Sequence, residues 1–425
     1  MNDQLRTMNY KLGIAFDIGT TTIVGSLIDL EKCKKIKTAF LPNPQIKWGR
    51  DVLSRVSACI ENPQILKTLQ NEVLTTCNGI IRNLINHEQV GFITIAGNSV
   101  MEHLLLGISP APLAKVPYKP AFKEAKKIKA SEIGITINPK GYIYTFPLIG
   151  GFVGGDTVAV VLAAGIHKSK EYSLAIDIGT NNEIVLAGEK GIWATSTAAG
   201  PAFEGGTIKH GMIAEDGAIQ GMDIEDNKIK LDVIGNTTPK GICGSGIIDA
   251  IAKLLDAGII DKTGRIKARD ELYENIANRI VEQRLGVRGQ GLGNAFLLYK
   301  DTKKEITITQ NDVREIQLAK GAIQAGIKIL LNKAKVGINN IEKVFIAGAF
   351  GSNIKKESLA QIGVIEKEWL DKVIFVGDAA LEGAKLALCS EEKRNEAEEI
   401  AIQTKHLSLS GSAHFQEEFM KEMGF

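Results

Sequence analysis

The sequence predicts an α/β protein of two domains, and three observations carry that expectation. A strand–turn–strand pattern occurs twice, at Leu12-Gly13-Ile14-Ala15-Phe16-Asp17-Ile18-Gly19-Thr20-Thr21-Thr22 and at Leu174-Ala175-Ile176-Asp177-Ile178-Gly179-Thr180-Asn181-Asn182-Glu183. Each copy is an apolar run, then Asp-Ile-Gly-Thr, then a second apolar run. The two aspartates are 177 − 17 = 160 residues apart, about one domain length. Elsewhere, apolar runs end in glycine turns that open helices, as α/β folds do where they present ligands at strand ends. A chain of 425 residues also exceeds one ordinary core.

Residues 10–40 read as a meander on the first hairpin. The turn-rich stretch Asn43 to Arg50 follows, and Asp51 is placed to cap a helix running to about Ile60. Apolar residues at helical spacing (Leu69, Val73, Leu74, Ile80, Ile81, Leu84, Ile85) predict a helix over 65–86. Val90 to Ala96 reads as a buried strand ending at Gly97-Asn98-Ser99, which starts a helix over 100–106. Residues 109–147 hold six of the eleven prolines together with Lys119, Lys123, Lys126, Lys127 and Lys129, and read as a surface excursion with little helix. The lysines form a solvated face or a docking surface for an acidic partner. Gly150-Gly151-Phe152-Val153-Gly154-Gly155-Asp156 opens a small-residue helix with Asp156 at the N-cap.

After a linker at 167–171, the second hairpin runs through Trp193 to the small-residue stretch 198–206, a polar hairpin region follows, and Gly241 to Gly246 leads into a helix over 247–257. Residues 260–310 carry no clear pattern. Thr309 or Asn311 is expected to cap a long helix to Ala334 bearing Glu315 and Lys320. Val344 to Ala347 is a strand entering the glycine turn Gly348-Ala349-Phe350-Gly351, Val373 to Val376 a strand entering Gly377-Asp378, and 381–388 a helix. The tail alternates helix, a short strand at 407–409, and helix. The expected domains are 10–168 and 170–388, with 389–425 packing back on them.

Composition narrows the function. With 44% hydrophobic and 24% charged residues and a net charge of +2, nothing global favours nucleic acid or membrane binding. No apolar run reaches the ~18 residues of a membrane span, and 1–11 lack a signal-peptide core, so a cytoplasmic location is expected. Five scattered cysteines without a Cys-x-x-Cys pair argue against a disulfide framework, a zinc ribbon and a ferredoxin-type cluster. A cluster bridging two subunits needs fewer cysteines per chain and stays open.

The chemistry lies in the turns. Glycine lets the backbone reverse and lets N–H groups approach a bound anion, and threonine and asparagine add donors. An aspartate at a strand end is an acceptor-only group suited to Mg²⁺ or its water shell. The two hairpins are therefore candidate phosphate-gripping loops, although one such turn alone could exist for its conformation.

This set resembles the actin-like ATPase superfamily (ASKHA), in which two RNase-H-like domains close around a nucleotide cleft. The resemblance implies ATP and Mg²⁺ as cofactors. It makes Gly19, Thr20, Thr21 and Thr22 the first phosphate loop, and Gly179, Thr180, Asn181, Asn182 and Glu183 the second. Asp17 and Asp177 would attend the metal. Gly154 and Gly155 would bring Asp156 to orient the attacking water. Gly244 and Gly246 would approach the nucleotide, and Gly348, Ala349, Phe350 and Gly351 would hold the adenosine, with Lys320 and Glu315 nearby. Within the superfamily, nearly the whole chain is similar to the ATPase region of reductive activators of corrinoid proteins. The matching stretches are Asp17 to Thr22, Asn43-Pro44-Gln45, Asp51 to Arg55, Gly97-Asn98 with Met101 and His103, Asp177 to Glu183, Gly200 to Gly205, Gly241 to Asp249 and Gly348 to Gly351. Asn182 stands where glycine is expected, and Asp378 where asparagine is expected.

The resemblance implies ATP-driven reduction of cob(II)alamin to cob(I)alamin on a corrinoid protein of a methyltransferase system. Many relatives carry an iron–sulfur domain. Here none is expected, since the chain opens sixteen residues before Asp17 and ends without a cysteine-rich tail, so electrons would come from a separate ferredoxin-like donor. A homodimer is compatible. The rivals are an activator of a radical dehydratase with a subunit-bridging cluster, a small-molecule kinase on the same fold, and a nucleotide-gated interaction module. His103 is either a satisfied structural residue or a face toward the corrinoid protein.

Overall fold

A computed structural model describes residues 10–225, 228–284, 292–348 and 354–425. The first sheet is built from β1 (Leu12–Ile18), β2 (Thr22–Asp29), β3 (Lys34–Pro42), β4 (Val90–Gly97), β5 (Lys126–Lys129) and β6 (Tyr142–Thr145) in the order β3-β2-β1-β4-β6-β5. The meander β1-β2-β3 is antiparallel, while β4 runs parallel to β1 and β6 parallel to β4. A second six-stranded sheet contains β7 (Tyr172–Asp177), β8 (Asn181–Gly188), β9 (Gly191–Ala198), β16 (Ile341–Ala347), β17 (Val373–Gly377) and β18 (Thr404–His406), in the order β17-β16-β7-β8-β9-β18. The succession 3-2-1-4 of the first sheet thus recurs as 9-8-7-16. Two three-stranded sheets complete the set: β10 (Ala218–Glu225), β11 (Lys228–Val233) and β12 (Gly241–Ile242); and β13 (Ile280–Arg284), β14 (Leu292–Lys300) and β15 (Glu305–Thr309).

The chain divides into two compact units. One holds the described residues up to Asp177 with Val185–Ser196 and Asp378–Ser408; the other holds Ile178–Ile184, Thr197–Gly377 and Leu409–Phe425. In the first unit, side-chain alternation along β1 sorts its two faces. Ile14, Phe16 and Ile18 join a buried cluster with Val56 of α1 (Val52–Glu61) and Leu69, Val73, Ile80 and Ile81 of α2 (Ile65–Leu84). On the alternate face, a side chain at Gly13 would meet Leu388. Asp51 caps α1 by accepting the Ser54 N–H at 2.9 Å. Asn98 caps α3 (Ser99–Leu106) by accepting the Met101 N–H at 2.9 Å. The helix α4 (Gly155–Ala164) begins at an N-cap that is Gly154, not Asp156; Asp156 is the second helical residue.

In the second unit, α5 (Gly244–Asp256) packs on β10. The 25-residue α6 (Gln310–Ala334) starts at Thr309, where a capping box with Asp312 satisfies its first donors. Next comes α7 (Lys356–Gln361). Back in the first unit, α8 (Ala379–Cys389), capped by Asp378, packs on β1, β4 and α4, and α9 (Glu391–Gln403) follows. In the second unit, α10 (Ala413–Lys421) packs on α6.

Four expectations are corrected. Residues 109–147 are not only excursion, since β6 inserts beside β4 with Ile143, Tyr144 and Thr145 buried. Within 260–310, which shows no clear pattern, Ile280–Arg284, Leu292–Lys300 and Glu305–Thr309 form the antiparallel β13-β14-β15 sheet. The short tail strand lies at 404–406 rather than 407–409, parallel to β9. Cys33 and Cys389 form a disulfide across 356 residues. A fold that returns α8 to the turn between β2 and β3 makes the pair, and sequence spacing holds no trace of that.

Candidate functional site

Asp17 is the last residue but one of β1, half-buried, and the chain reverses through Gly19–Thr21 into β2. A side chain on Gly19 would meet the Thr22 carbonyl oxygen at 2.6 Å, so glycine is required. Every carbonyl of this turn is held from one side. Asn43 Nδ2 donates to the Gly19 carbonyl (3.0 Å), an Arg55 guanidinium N–H to the Thr20 carbonyl (2.5 Å), and the Asn43 backbone N–H to the Thr21 carbonyl (2.8 Å). A trans peptide points its C=O and the following N–H in opposite directions. The N–H groups of Thr20, Thr21 and Thr22 are therefore directed away from Asn43 and Arg55, a row of donors of the kind that cradles anions. Asn98 Nδ2 adds a bond to Thr20 Oγ1 (3.2 Å).

Four carboxylates of the same unit interact with this turn's strand end. The Asp17 carboxyl is raised well above the usual carboxylate range by burial, then by the charges of Asp378, Asp156 and Asp177. Burial raises Asp177 to about 7, with Asp156 and Asp378 adding to it. Asp156 is raised to about 6 by burial, against the lowering effect of Thr157, whose N–H it accepts at 2.6 Å. Asp378 is raised by burial despite its cap bond to the Leu381 N–H (2.9 Å) and the charge of Lys35. Concentrated negative charge with so little cationic compensation is what a divalent cation relieves. Among the described residues no three His, Cys, Asp or Glu side chains form a ready-made metal cage. Mg²⁺ commonly keeps several waters and takes one or two carboxylates beside phosphate oxygens, which needs no cage of that kind. These carboxylates are of the donor type that such an ion takes.

In the second unit, Asn182 is fully buried and its Oδ1 accepts the Gly179 N–H at 3.2 Å, while its Nδ2 has no partner among the described residues. Thr180 Oγ1 donates to Glu204 Oε1 at 2.9 Å. Glu204 was not singled out by sequence reasoning; its signal is a lone acid in the small-residue stretch 198–206. Asn181 is half-buried and Glu183 buried. Gly244 opens α5, but Gly246 has a structural reason: a side chain there would lie 2.0 Å from the Ile219 carbonyl oxygen. Lys320 is buried, its ammonium 6.0 Å from the Phe425 ring centroid, and burial lowers its pKa; Glu315 is half-buried on the same helix. Gly348 has φ +128°, and its N–H bonds to the Gly377 carbonyl (3.1 Å). Ala349, Phe350 and Gly351 lie outside the described residues. In the first unit, Gly154 abuts the start of α3: a side chain there would meet Asn98 Cα at 2.5 Å. His103 is fully buried, bonds Ser99 O through Nδ1 (2.6 Å), accepts the Ala121 N–H at Nε2 (3.0 Å) and stacks on Phe122.

The sheets and glycine turns define an α/β protein of the ASKHA class. Residues 171–425 match the family described as the C-terminal domain of RACo, the ASKHA domain, and residues 12–169 match the RACo middle region. The chain is 37% identical over 421 residues to the corrinoid activation enzyme RamQ of Eubacterium limosum, covering 97% of this chain and 70% of that one. It is 25% identical to the [Co(II) methylated amine-specific corrinoid protein] reductase of Methanosarcina barkeri, covering 97% and 77%. A solved reductive activator for corrinoid, iron–sulfur protein superposes with a TM-score of 0.88 at 36% identity; it covers 98% of this chain, which spans 66% of that one. The chain belongs to the family of reductive activators of corrinoid proteins.

Proposed function

We propose that this protein is an ATP-dependent activator that returns a partner corrinoid from cob(II) to cob(I), using one electron from a separate ferredoxin-like donor. The observation that carries the nucleotide half is the first turn, where three carbonyls are tied back beside four raised carboxylates. The corrinoid half rests on the family.

In this reading, bound Mg·ATP supplies a cleavable phosphoanhydride whose hydrolysis makes the cycle directional. Asp17 and Asp177 would hold the cation's shell, the amides of the turn at Thr20 to Thr22 would receive phosphate oxygens, and Asp156 would orient the attacking water. Reducing cob(II) is uphill from ordinary donors, and for one electron each ~59 mV is a tenfold change in equilibrium. An activator that binds the reducible conformation of its partner better than the resting one shifts that potential by the difference in binding. Nucleotide-linked rearrangement then releases the partner.

The test is Asp156→Asn. It should keep ATP binding and lose about 10²–10⁴-fold in hydrolysis, the usual effect of removing a general base. Native-rate hydrolysis by that variant would refute the assignment.

A further inference from the structure

Arg55 is the largest polar side chain wholly inside the protein, at 0% exposure. A buried guanidinium is normally paired with a carboxylate, because an uncompensated charge in the interior is costly. Among the described residues Arg55 has no such pair. Its bonds go to the Thr20 carbonyl (2.5 Å), the Gln45 Oε1 (3.0 Å), the Met101 sulfur (3.3 Å) and, through Nε, the Gly49 carbonyl (3.3 Å). Burial pulls its pKa down to about 10, which leaves it charged at neutral pH, with Asp51 and Glu72 contributing only at longer range. One planar fork thus ties the first turn to both ends of the segment Gln45–Gly49. That segment is otherwise anchored by Gln45 Nε2 on the Leu69 carbonyl (2.8 Å) and by Lys47 on Glu72 (2.5 Å), and it presents Lys47 and Arg50 at the surface.

We infer that Arg55 is a positioning residue that couples the phosphate turn to the surface segment Pro44–Arg50, so that this segment reports whether the nucleotide site is filled. The inference rests on the nucleotide reading above and goes beyond it by naming a route out of the site. A positive charge behind the Thr20 carbonyl polarises a peptide of the phosphate turn itself. An anion arriving there strengthens the Arg55–Thr20 bond, and the shared fork transmits that to Gln45 and Gly49. Lysine keeps the charge but cannot keep these directions, since its ammonium is a point charge on a flexible stem.

The experiment compares the full-length protein with Arg55→Lys and, as a milder change outside the guanidinium, Gln45→Leu. Two readouts are taken with and without Mg·ATP: nucleotide affinity by titration calorimetry, and amide hydrogen exchange across 44–54 against the core of α2. Wild type should show slower exchange at 44–54 when nucleotide is added. Arg55→Lys should bind ATP about tenfold more weakly and lose that nucleotide-dependent protection, with α2 exchange unchanged. Gln45→Leu should bind ATP within about threefold of wild type while losing protection at 44–50. Wild type that binds no nucleotide overturns the nucleotide reading and this inference together. Wild type that binds ATP with unaltered exchange at 44–54, or variants that retain the protection, overturn this inference alone. Loss of α2 protection in both variants also overturns it, because Arg55 and Gln45 would then serve only the core.

Discussion

The carboxylate cluster makes nucleotide-free protein lose stability as pH rises, the reverse of an ordinary salt-bridged aspartate. Asp177 titrates near 7 in the fold and near its usual 3.8 in the unfolded chain. The folded state therefore holds a proton that the unfolded chain releases, and stability is full below about pH 4 and is lost as pH climbs through about 7. A shift of about three units at ~1.36 kcal/mol each is on the order of 4 kcal/mol. Asp156, raised to about 6, titrates with it rather than independently, so the two are not summed. Only about two of those units fall between pH 5 and pH 8, on the order of 3 kcal/mol, so with ~2–4 °C of Tm per kcal/mol for a unit of this size the apo protein should melt about 8 °C higher at pH 5 than at pH 8 from Asp177 alone. Asp177→Asn, which keeps the shape and cannot ionise, should lessen that slope while the raised Asp17 keeps the rest of it, and Mg·ATP should flatten it in wild type. Differential scanning calorimetry between pH 5 and 8 measures all three. An apo Tm that is flat or rises over this range would refute the reasoning that these carboxylates crowd one another without a cation.

Other consequences are more local. His103→Gln should activate a partner at the wild-type rate but lower Tm by a few degrees, because both ring nitrogens are occupied inside the fold; activity loss with unchanged Tm would mean that it faces the partner. Alkylation under denaturing conditions without reductant, read by mass spectrometry, should label Cys59, Cys77 and Cys243 but not Cys33 or Cys389; five labelled thiols would contradict the pairing. If the lysines of 119–129 receive an acidic donor, activation should weaken steeply with salt as the screening length falls from ~10 Å at 0.1 M to ~3 Å at 1 M; salt-independent rates would point to a different face.

Much of this architecture is legible in the sequence because local chemistry writes it there. Both strand–turn–strand motifs and the caps at Asp51 and Thr309 follow from periodicity and side-chain hydrogen bonding, and each is found where expected. What the sequence hides depends on long-range return of the chain. The β6 strand reads as part of a proline-rich excursion because its four residues are too few to show a period. Cys33 and Cys389 meet only through the path of α8, and Glu204 becomes notable only once its carboxylate reaches Thr180. Asp156 is expected as a cap, but the helix starts at Gly155 with Gly154 as its N-cap, which leaves Asp156 in the first turn among the other acids. The part played by Arg55 was hidden in a matching stretch, since nothing in Asp51 to Arg55 says that the arginine points inward to a carbonyl.

The most direct test of the central claim is anaerobic and optical. Purified protein, a corrinoid protein of the family's methyltransferase systems held as cob(II), Mg²⁺ and a low-potential chemical reductant are combined with and without ATP, and cob(I) is followed by its absorbance. Cob(I) that forms only with ATP, and does not form with the Asp156→Asn protein under multiple turnover, is the predicted result. Cob(I) formation at the same rate without nucleotide would contradict the account.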